Sequence, residues 1–181
     1  MSELKKMITS FKKDGYKPVY FLMGEEPYFI DFLSDHFTNN VISEEEKSFN
    51  QVVLYGKDVS VNDIMSQARQ YPFMGDKMLV VIKEAQELVK TIDQFSSYFK
   101  SVQPSTILVF CYKYKTLDKR KELYKTLSKS EFAEIFESNK LKDYQVEGWI
   151  KTLISDEKLE IEPKAVAMLV EFLGNDLSKI S

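Results

Sequence analysis

The loop after the first apolar segment of the sequence has the position of a phosphate-binding loop but not its residues. Gly24 follows the apolar run 19–23 and precedes a segment with helical spacing, which gives the order strand, loop, helix. A working loop, G-x-x-x-x-G-K-[ST], needs a second glycine, a lysine and a hydroxyl. Here two carboxylates that repel phosphate are followed by a proline that has no N–H to donate. We therefore predict a degenerate phosphate loop at Gly24, Glu25, Glu26 and Pro27, and no bound cofactor.

A second stretch places apolar side chains where a polar turn is expected. Tyr71, Pro72, Phe73 and Met74, called the apolar loop below, lie between a predicted helix and a predicted strand. Because loops lie at the surface, these side chains are either tucked under the sheet edge or available to a partner. Aromatic and methionine side chains are typical of protein interfaces. The pattern alone leaves both interpretations open.

A third stretch is rich in lysine. The basic cluster consists of Lys113, Lys115, Lys119, Arg120, Lys121 and Lys125, with two tyrosines interleaved. Basic residues interleaved with aromatic ones are typical of a surface that faces phosphates, so a contact with DNA or with another subunit is one interpretation. An ordinary solvated lysine-rich helix surface is the other.

The remaining residues with reactive side chains are interpreted as structural or solvated and not as catalytic. His36 lies on an apolar helix face, where a single histidine is usually at the edge of the core. Cys111 ends a buried strand and behaves there as a small hydrophobe. The acidic run 44–46 is interpreted as a solvated loop, because metal ligands converge from more than one element. Glu84 is interpreted as a solvated acid at the start of a helix. We predict neither catalytic residues nor a metal site.

Composition narrows the class of protein further. The 181 residues carry 25 basic and 28 acidic side chains, a formal charge of -3, so the chain has no basic footprint for avid DNA binding by itself. A hydrophobic share of 44% is typical of a globular protein. The single cysteine rules out an internal disulfide and fits a reducing compartment, and no apolar run approaches the roughly 20 residues that span a bilayer. We expect a cytoplasmic protein with no membrane contact.

Five short runs rich in apolar, β-branched and aromatic residues are predicted to be strands, at 19–23, 49–55, 78–82, 106–111 and 132–136. The third and fourth are apolar almost throughout, as expected when helices cover both faces of a parallel sheet. Helical spacing separates the runs, and this alternation predicts a doubly wound α/β fold over residues 1–139. Residues 140–181 show helical spacing alone and predict a small all-helical domain.

Individual helices are predicted from apolar stripes and from capping residues. The stripes are Phe29, Phe32, Leu33, His36 and Phe37; Leu88, Ile92, Phe95 and Phe99; Leu123, Tyr124 and Leu127; and Trp149, Ile150 and Leu153. Ser60 and Asp63 predict a capped helix start, and Pro163 and Gly174 predict the two ends of another helix. Asn175 and Asp176 predict a further helix start less than two turns before the last residue, which indicates a truncated sequence.

Four segments, taken in order along the chain, resemble the DNA polymerase III delta family. Residues 18–27 are similar to its P-V-Y-L-L-x-G-E-E opening, and residues 71–81 to its L-P-F-F-G-x-x-R-L-V-V segment. Residues 117–121 match its L-D-K-R-K stretch, and residues 174–177 its G-x-D-L element. Met74 stands where the family usually has a second aromatic, and methionine also fits an apolar pocket.

The resemblance implies an AAA+ ATPase-like domain with a degenerate P-loop, a small helical lid domain, and a helical collar domain that this sequence does not include. It implies a clamp-loader subunit that has no ATPase or polymerase activity itself. It also implies binding to the β sliding clamp through Phe73 and Met74, flanked by Tyr71 and Pro72. The other implied partners are the delta prime and tau/gamma subunits and primer-template DNA, in a nucleoid-associated replisome.

Two other classes of function remain as alternatives. An active P-loop NTPase with an atypical loop would bind nucleotide despite residues 24–31. An adaptor with the same fold would use the apolar loop to bind some other protein. Titration with nucleotide separates the first alternative from the delta interpretation, and binding to purified clamp separates the second.

Overall fold

A computed structural model of the protein describes residues 2–181, which contain a five-stranded sheet. The strands are β1 (Val19–Gly24), β2 (Gln51–Tyr55), β3 (Met78–Lys83), β4 (Thr106–Lys113) and β5 (Ala133–Ser138). Each lies within two residues of a predicted strand at both ends. β3 and β4 are buried along almost their whole length, as their continuous apolar runs predicted.

The sheet is entirely parallel, and its strand order is β2-β3-β4-β1-β5. From β1 the chain crosses over to β2 at one edge, and β5 adds on the other side of β1. The carboxyl end of β1 therefore lies at the topological switch point, where open α/β sheets usually bind ligands. This is the location of Gly24.

Eight α-helices lie within the described residues. They are α1 (Ser2–Asp14), α2 (Pro27–Asn40), α3 (Lys47–Asn50), α4 (Val61–Ala68), α5 (Glu122–Lys129), α6 (Asp143–Asp156), α7 (Pro163–Leu173) and α8 (Leu177–Ile180). The predicted capping box at the start of α4 is present, with Ser60 Oγ accepting from Asp63 N–H and the Asp63 carboxylate accepting from Ser60 N–H. Pro163 begins α7, Gly174 caps its end, and Asp176 caps α8, all as predicted.

Both faces of the sheet are covered by helices, so the α/β unit is doubly wound. On one face Phe21 stacks on Phe110 with ring centroids 5.1 Å apart, and Phe95 meets Phe110 edge-on at 4.9 Å. On the other face Tyr20 packs against Phe37 of α2 at 4.6 Å. The central strands β1, β3 and β4 alternate their side chains between two apolar layers, and together the layers form the core.

Three predictions about elements were wrong in detail. The stripe Leu88, Ile92, Phe95 and Phe99 is buried, but it lies on three 3₁₀ turns, Ala85–Leu88, Ile92–Ser96 and Tyr98–Lys100, and not on one α-helix. The Thr91 and Ser96 hydroxyls donate to backbone carbonyls three residues earlier, and such bonds compete with regular helix formation. Phe32 is exposed at the margin of α2, and Phe49 belongs to α3 and not to a strand.

The chain divides into two compact units. One is Ile8–Ser138, which contains the sheet, and the other is Asn139–Ser181 together with the start of α1 through Met7. In the second unit α6 and α7 supply the buried side chains Val146, Trp149, Ile150 and Val166, and Lys5 forms an ion pair with Asp156 at 3.1 Å. The predicted domain boundary placed residues 1–139 in the α/β domain, and in the structure α1 is divided between the two units.

Replacing Gly24 by alanine is expected to destabilise the protein by about 3 kcal/mol. Gly24 has φ +139°, and a Cβ there would lie 2.0 Å from the Ser138 carbonyl oxygen, which belongs to a paired strand and cannot move freely. The matched control is Gly148→Ala in the middle of α6, where a Cβ meets nothing within 4 Å. That control should stabilise by up to about 1 kcal/mol, and denaturation in urea measures both variants. Equal stability of Gly24→Ala and the unmodified protein would show that this close approach is absent.

Candidate functional site

The backbone groups at the phosphate-loop position are bonded within the chain. Gly24 N–H donates to the carbonyl of Lys115 at 3.0 Å, and Glu26 N–H donates to the carbonyl of Ser138 at 3.2 Å. The Ser138 hydroxyl donates in turn to the Glu26 carbonyl at 2.7 Å. Pro27 has no N–H. A phosphate site needs a concave row of free N–H donors, and at these three positions the donors are paired or missing.

The carboxylate of Glu26 occupies the N-terminus of α2. Glu26 is buried, and its Oε1 accepts from Tyr28 N–H at 3.1 Å, which makes Glu26 the side-chain cap of the helix. A negative charge at this end of a helix is favoured by the helix dipole. The protein therefore places its own anion where an ATPase of this architecture would place a phosphate.

A closed polar network lies beside the switch point, at the carboxyl ends of β3 and β4. Lys113 Nζ lies 2.7 Å from an Asp31 oxygen and 3.6 Å from a Glu84 oxygen, and Lys113 N–H donates to Gln86 Oε1 at 3.1 Å. Burial lowers the pKa of Lys113, but the hydrogen bond and charge of Asp31, with Glu84, outweigh burial, and the pKa lies above its ordinary value. Lys113 is held as a structural cation.

Glu84 was interpreted from sequence as a solvated acid, and the structure corrects that interpretation. It precedes the first 3₁₀ turn with φ 54°, a left-handed conformation that is unusual for a residue with a side chain. Its carboxylate accepts from the Gln86 side chain and pairs with Lys113. Within residues 2–181 no group of three or more acidic, histidine or cysteine side chains converges as a metal site.

Part of the basic cluster forms ion pairs with acidic residues that are distant from it in the sequence. Lys119 Nζ pairs with Glu137 at 2.9 Å and Lys121 Nζ with Asp93 at 2.6 Å. These hydrogen bonds raise the pKa of both lysines. Arg120 pairs in a fork with Asp118, and its hydrogen bonds lower the pKa of the Asp118 carboxyl.

Lys113 belongs to the polar network described above, whereas Lys115 and Lys125 are exposed. The sequence-based count of nearby acids missed Asp31, Glu84, Asp93 and Glu137, because none of them is near the cluster along the chain. Much of the positive charge of the cluster is therefore compensated.

The apolar loop is exposed. Tyr71 and Phe73 are 78% and 76% exposed, Met74 is 54% exposed, and the loop joins the end of α4 to the start of β3. Its flanks are held: the Thr106 hydroxyl donates to the carbonyl of Gln70, and Lys77 Nζ donates to the carbonyl of Pro104 at 3.1 Å. Of the two interpretations left open by the sequence, the side chains are not tucked under the sheet.

The apolar loop lies at the amino ends of the strands, whereas the phosphate-loop position lies at their carboxyl ends. β1 and β3 run parallel, and the apolar loop precedes β3 whereas the phosphate-loop position follows β1. β2 pairs with β3 with Gln51 opposite Leu79, so the residues just before β2 lie beside those just before β3. This register brings Phe49 and Asn50 to the apolar loop.

Sequence reasoning missed these two residues. Phe49 stacks on Phe73 with ring centroids 5.5 Å apart and planes 29° apart. Phe73 N–H donates to Asn50 Oδ1 at 2.9 Å, and Asn50 Nδ2 donates to the carbonyl of Met74. The signal available in the sequence was an asparagine, a residue disfavoured in strands, at the point where a strand was predicted to begin.

Two residues considered for catalysis have structural environments. Cys111 is buried in β4, and burial raises the pKa of its thiol to about 12, so the reactive thiolate is suppressed. His36 stacks on Phe11 at 5.4 Å, and burial followed by the charge of Lys12 lowers the pKa of its imidazole. Among residues 2–181, no helix has both the length and the apolar character needed to cross a bilayer.

The sequence and the fold are similar to those of known proteins. The family model described as DNA polymerase III, delta subunit, matches residues 20–139. The DNA polymerase III subunit delta of Bacillus subtilis (strain 168) is 28% identical, over 94% of this chain and 51% of that protein. The chain thus spans about half the length of this curated relative.

Solved structures give the same comparison in three dimensions. The Bacillus subtilis DNA clamp loader delta protein superposes with a TM-score of 0.78 and 28% identity, over 98% of this chain and 54% of that one. A DNA polymerase III gamma subunit-related protein of Thermotoga maritima gives 0.54 at 14% identity, over 98% and 55%. A RuvB mutant of Thermotoga maritima gives 0.55 at 18%, over 93% and 55%. The last two show the fold alone, and the predicted AAA+-like α/β class is confirmed.

We expect no measurable binding of ATP or ADP. Glu25 and the helix-capping carboxylate of Glu26 would repel a nucleotide phosphate, and the N–H groups of Gly24, Glu26 and Tyr28 are bonded within the chain. Calorimetric titration with Mg-ATP should give only heat of dilution, which corresponds to a dissociation constant weaker than about 1 mM. Saturable binding in the micromolar range would overturn this interpretation and restore the NTPase alternative.

We expect the basic cluster to contribute little DNA affinity to this chain. Replacing Lys119 and Arg120 by glutamate should change binding to a primer-template duplex less than about threefold at physiological salt, because both cations already have acidic partners. Fluorescence anisotropy at several salt concentrations measures this. Tight binding by the unmodified chain that the reversal abolishes would assign the cluster to DNA.

Proposed function

The chain belongs to the DNA polymerase III delta subunit family, and on that basis we propose that it acts as the part of a clamp-loader delta subunit that binds the β sliding clamp and helps to open it for loading onto primed DNA. It does so without hydrolysing ATP. Other subunits, which we propose to be tau/gamma acting with delta prime, hydrolyse ATP. The chain contacts primer-template DNA within the assembled complex.

The exposed apolar loop is the observation that supports clamp binding most directly. Leaving Tyr71, Phe73 and Met74 in water is unfavourable, and contiguous exposed apolar groups usually mark a contact surface. Aromatic and methionine side chains are enriched at the centres of interfaces, where a few residues supply most of the binding free energy. The loop is also short and held at both flanks, so little freedom is lost when it binds.

Opening the clamp requires a difference in affinity. A bound protein shifts an equilibrium between a closed and an open ring only by the ratio of its affinities for the two states. The loop must therefore bind a pocket that is better formed in the open ring. A loop that bound both states equally would hold the clamp but would not open it.

The adaptor alternative uses the same loop with a different partner. It shares the exposed surface and the closed phosphate loop, so geometry within this chain does not separate it from the delta interpretation. Binding to purified clamp does, and the following variant measures it.

Replacing both Phe73 and Met74 by alanine is expected to weaken clamp binding by about two orders of magnitude. Each side chain transfers apolar surface from water to a partner pocket, worth roughly 1.5–3 kcal/mol, and the two effects are not fully additive. The affinity for purified Bacillus subtilis β clamp is measured by calorimetry, together with the melting temperature. The melting temperature should change little because both side chains are exposed.

Phe172→Ala is the matched control, since Phe172 is 75% exposed and lies in the helical unit, outside the apolar loop. It should leave clamp affinity unchanged. If the double variant keeps its affinity but loses thermal stability, the pair belongs to the core and not to an interface.

A further inference from the structure

We propose that Asn50 is the positioning residue that fixes the apolar loop in its binding conformation, and that Phe49 extends the contact surface of the loop. The inference depends on the proposed function and deepens it, because it specifies how the clamp-binding surface is built. The surface then has three principal contacts, Phe49, Phe73 and Met74, supported by one buried side-chain amide.

Asn50 uses both ends of its amide on the loop. The residue is 0% exposed, Phe73 N–H donates to its Oδ1 at 2.9 Å, and its Nδ2 donates to the Met74 carbonyl. It therefore bonds the backbone of the same two residues whose side chains point into solvent. A buried polar side chain without such partners would be costly, so the amide and the loop backbone stabilise each other.

The three residues most similar to asparagine in shape or chemistry each lose part of this arrangement. Aspartate keeps the acceptor for Phe73 N–H but opposes the Met74 carbonyl with a second acceptor. Leucine has a similar volume and loses both bonds. Glutamine has both groups but is one methylene longer, so at this fully buried position its amide would be displaced from the two loop bonds.

Phe49 is coupled to the loop through the same helical turn. In α3 the N–H groups of Phe49 and Asn50 both donate to the Glu46 carbonyl, at 3.0 and 2.9 Å. This turn directs Asn50 inward and leaves Phe49 56% exposed, with its ring stacked on Phe73. Stacked aromatic pairs favour a fixed relative orientation. A partner pocket that receives Phe73 therefore meets Phe49 beside it.

Gly75, the residue after the apolar loop, lies close to Glu46, the residue before α3. It has φ +68°, and a Cβ there would lie 2.3 Å from a Glu46 carboxylate oxygen. Gly75 therefore lies close to the Glu46 side chain. Residues of one short segment, Glu46, Phe49 and Asn50, thus lie against the apolar loop or the glycine that follows it. A loop ordered in advance binds more tightly because less entropy is lost in the complex.

The first test measures loop order in the free protein. In Asn50→Leu, hydrogen exchange at the Phe73 amide should accelerate at least about tenfold, while the amide of Val80 in β3 keeps its protection. In Asn50→Asp the Phe73 bond is kept, so exchange should accelerate less. If Asn50→Leu does not fold, Asn50→Ala, which also removes both bonds, provides the same comparison. Unchanged exchange at Phe73 in a folded variant that lacks both bonds would overturn the positioning role of Asn50.

The second test measures affinity for purified Bacillus subtilis β clamp. Asn50→Leu should weaken binding about tenfold, and Phe49→Ala about three- to tenfold. Phe132→Ala, which removes another partly exposed phenylalanine of the same unit, should have no effect. In the Phe73→Ala/Met74→Ala background, Asn50→Leu should cause no further loss, because Asn50 acts through those residues.

The results separate this inference from the proposed function. If the unmodified chain binds the clamp, the Phe73/Met74 variant does not, and Asn50→Leu and Phe49→Ala bind normally, the function stands and the inference is wrong. If the unmodified chain does not bind the clamp, the proposed function fails and Phe49 loses its assigned role. Exchange at the Phe73 amide then still decides whether Asn50 orders the loop.

Discussion

Three chain segments meet at Gly24, and their contact determines what the rest of the α/β unit can do. The Gly24 N–H is bonded to the segment after β4, and its α-carbon lies against the Ser138 carbonyl at the end of β5. Only glycine allows this approach, because any side chain would enter the backbone of β5. The contact closes the switch point at which an open α/β sheet usually binds its ligand. Glu26 and the Lys113 network complete the closure with charges supplied by the protein.

With the switch point at the carboxyl ends of the strands closed, the apolar loop and Phe49 lie exposed at the amino ends. The apolar loop precedes β3 and Phe49 precedes β2, and the pairing of β2 with β3 sets the two segments side by side. Such an arrangement needs no open crevice, because its side chains project outward from a sheet that is packed on both faces. The fold keeps the rigidity of a nucleotide-binding architecture, and in the function that we propose this rigidity supports a small protein-binding surface.

Local sequence signals predicted most of the fold. The five strands, the capping box of Ser60 and Asp63 and the ends of α7 depend on neighbouring residues, and all were found within two residues of the expected positions. What failed depends on contacts between distant residues. Asp93 and Glu137 compensate charges of the basic cluster from 28 and 18 residues away along the chain. Asn50 bonds the apolar loop from 23 or 24 residues away, and no spacing rule indicates such a pair.

The apolar loop illustrates why exposure and order must be explained together. A flexible loop with the same side chains would bury them transiently against its own surroundings, and a partner would first have to release and order it. The Asn50 amide prevents this by using the backbone of Phe73 and Met74, and stacking of Phe49 covers one face of the Phe73 ring. Stacking thus reduces the exposed surface of the loop, but the remaining surface is accessible to a partner. Because only a few side chains are involved, affinity at such a surface depends more on this prior order than on buried area.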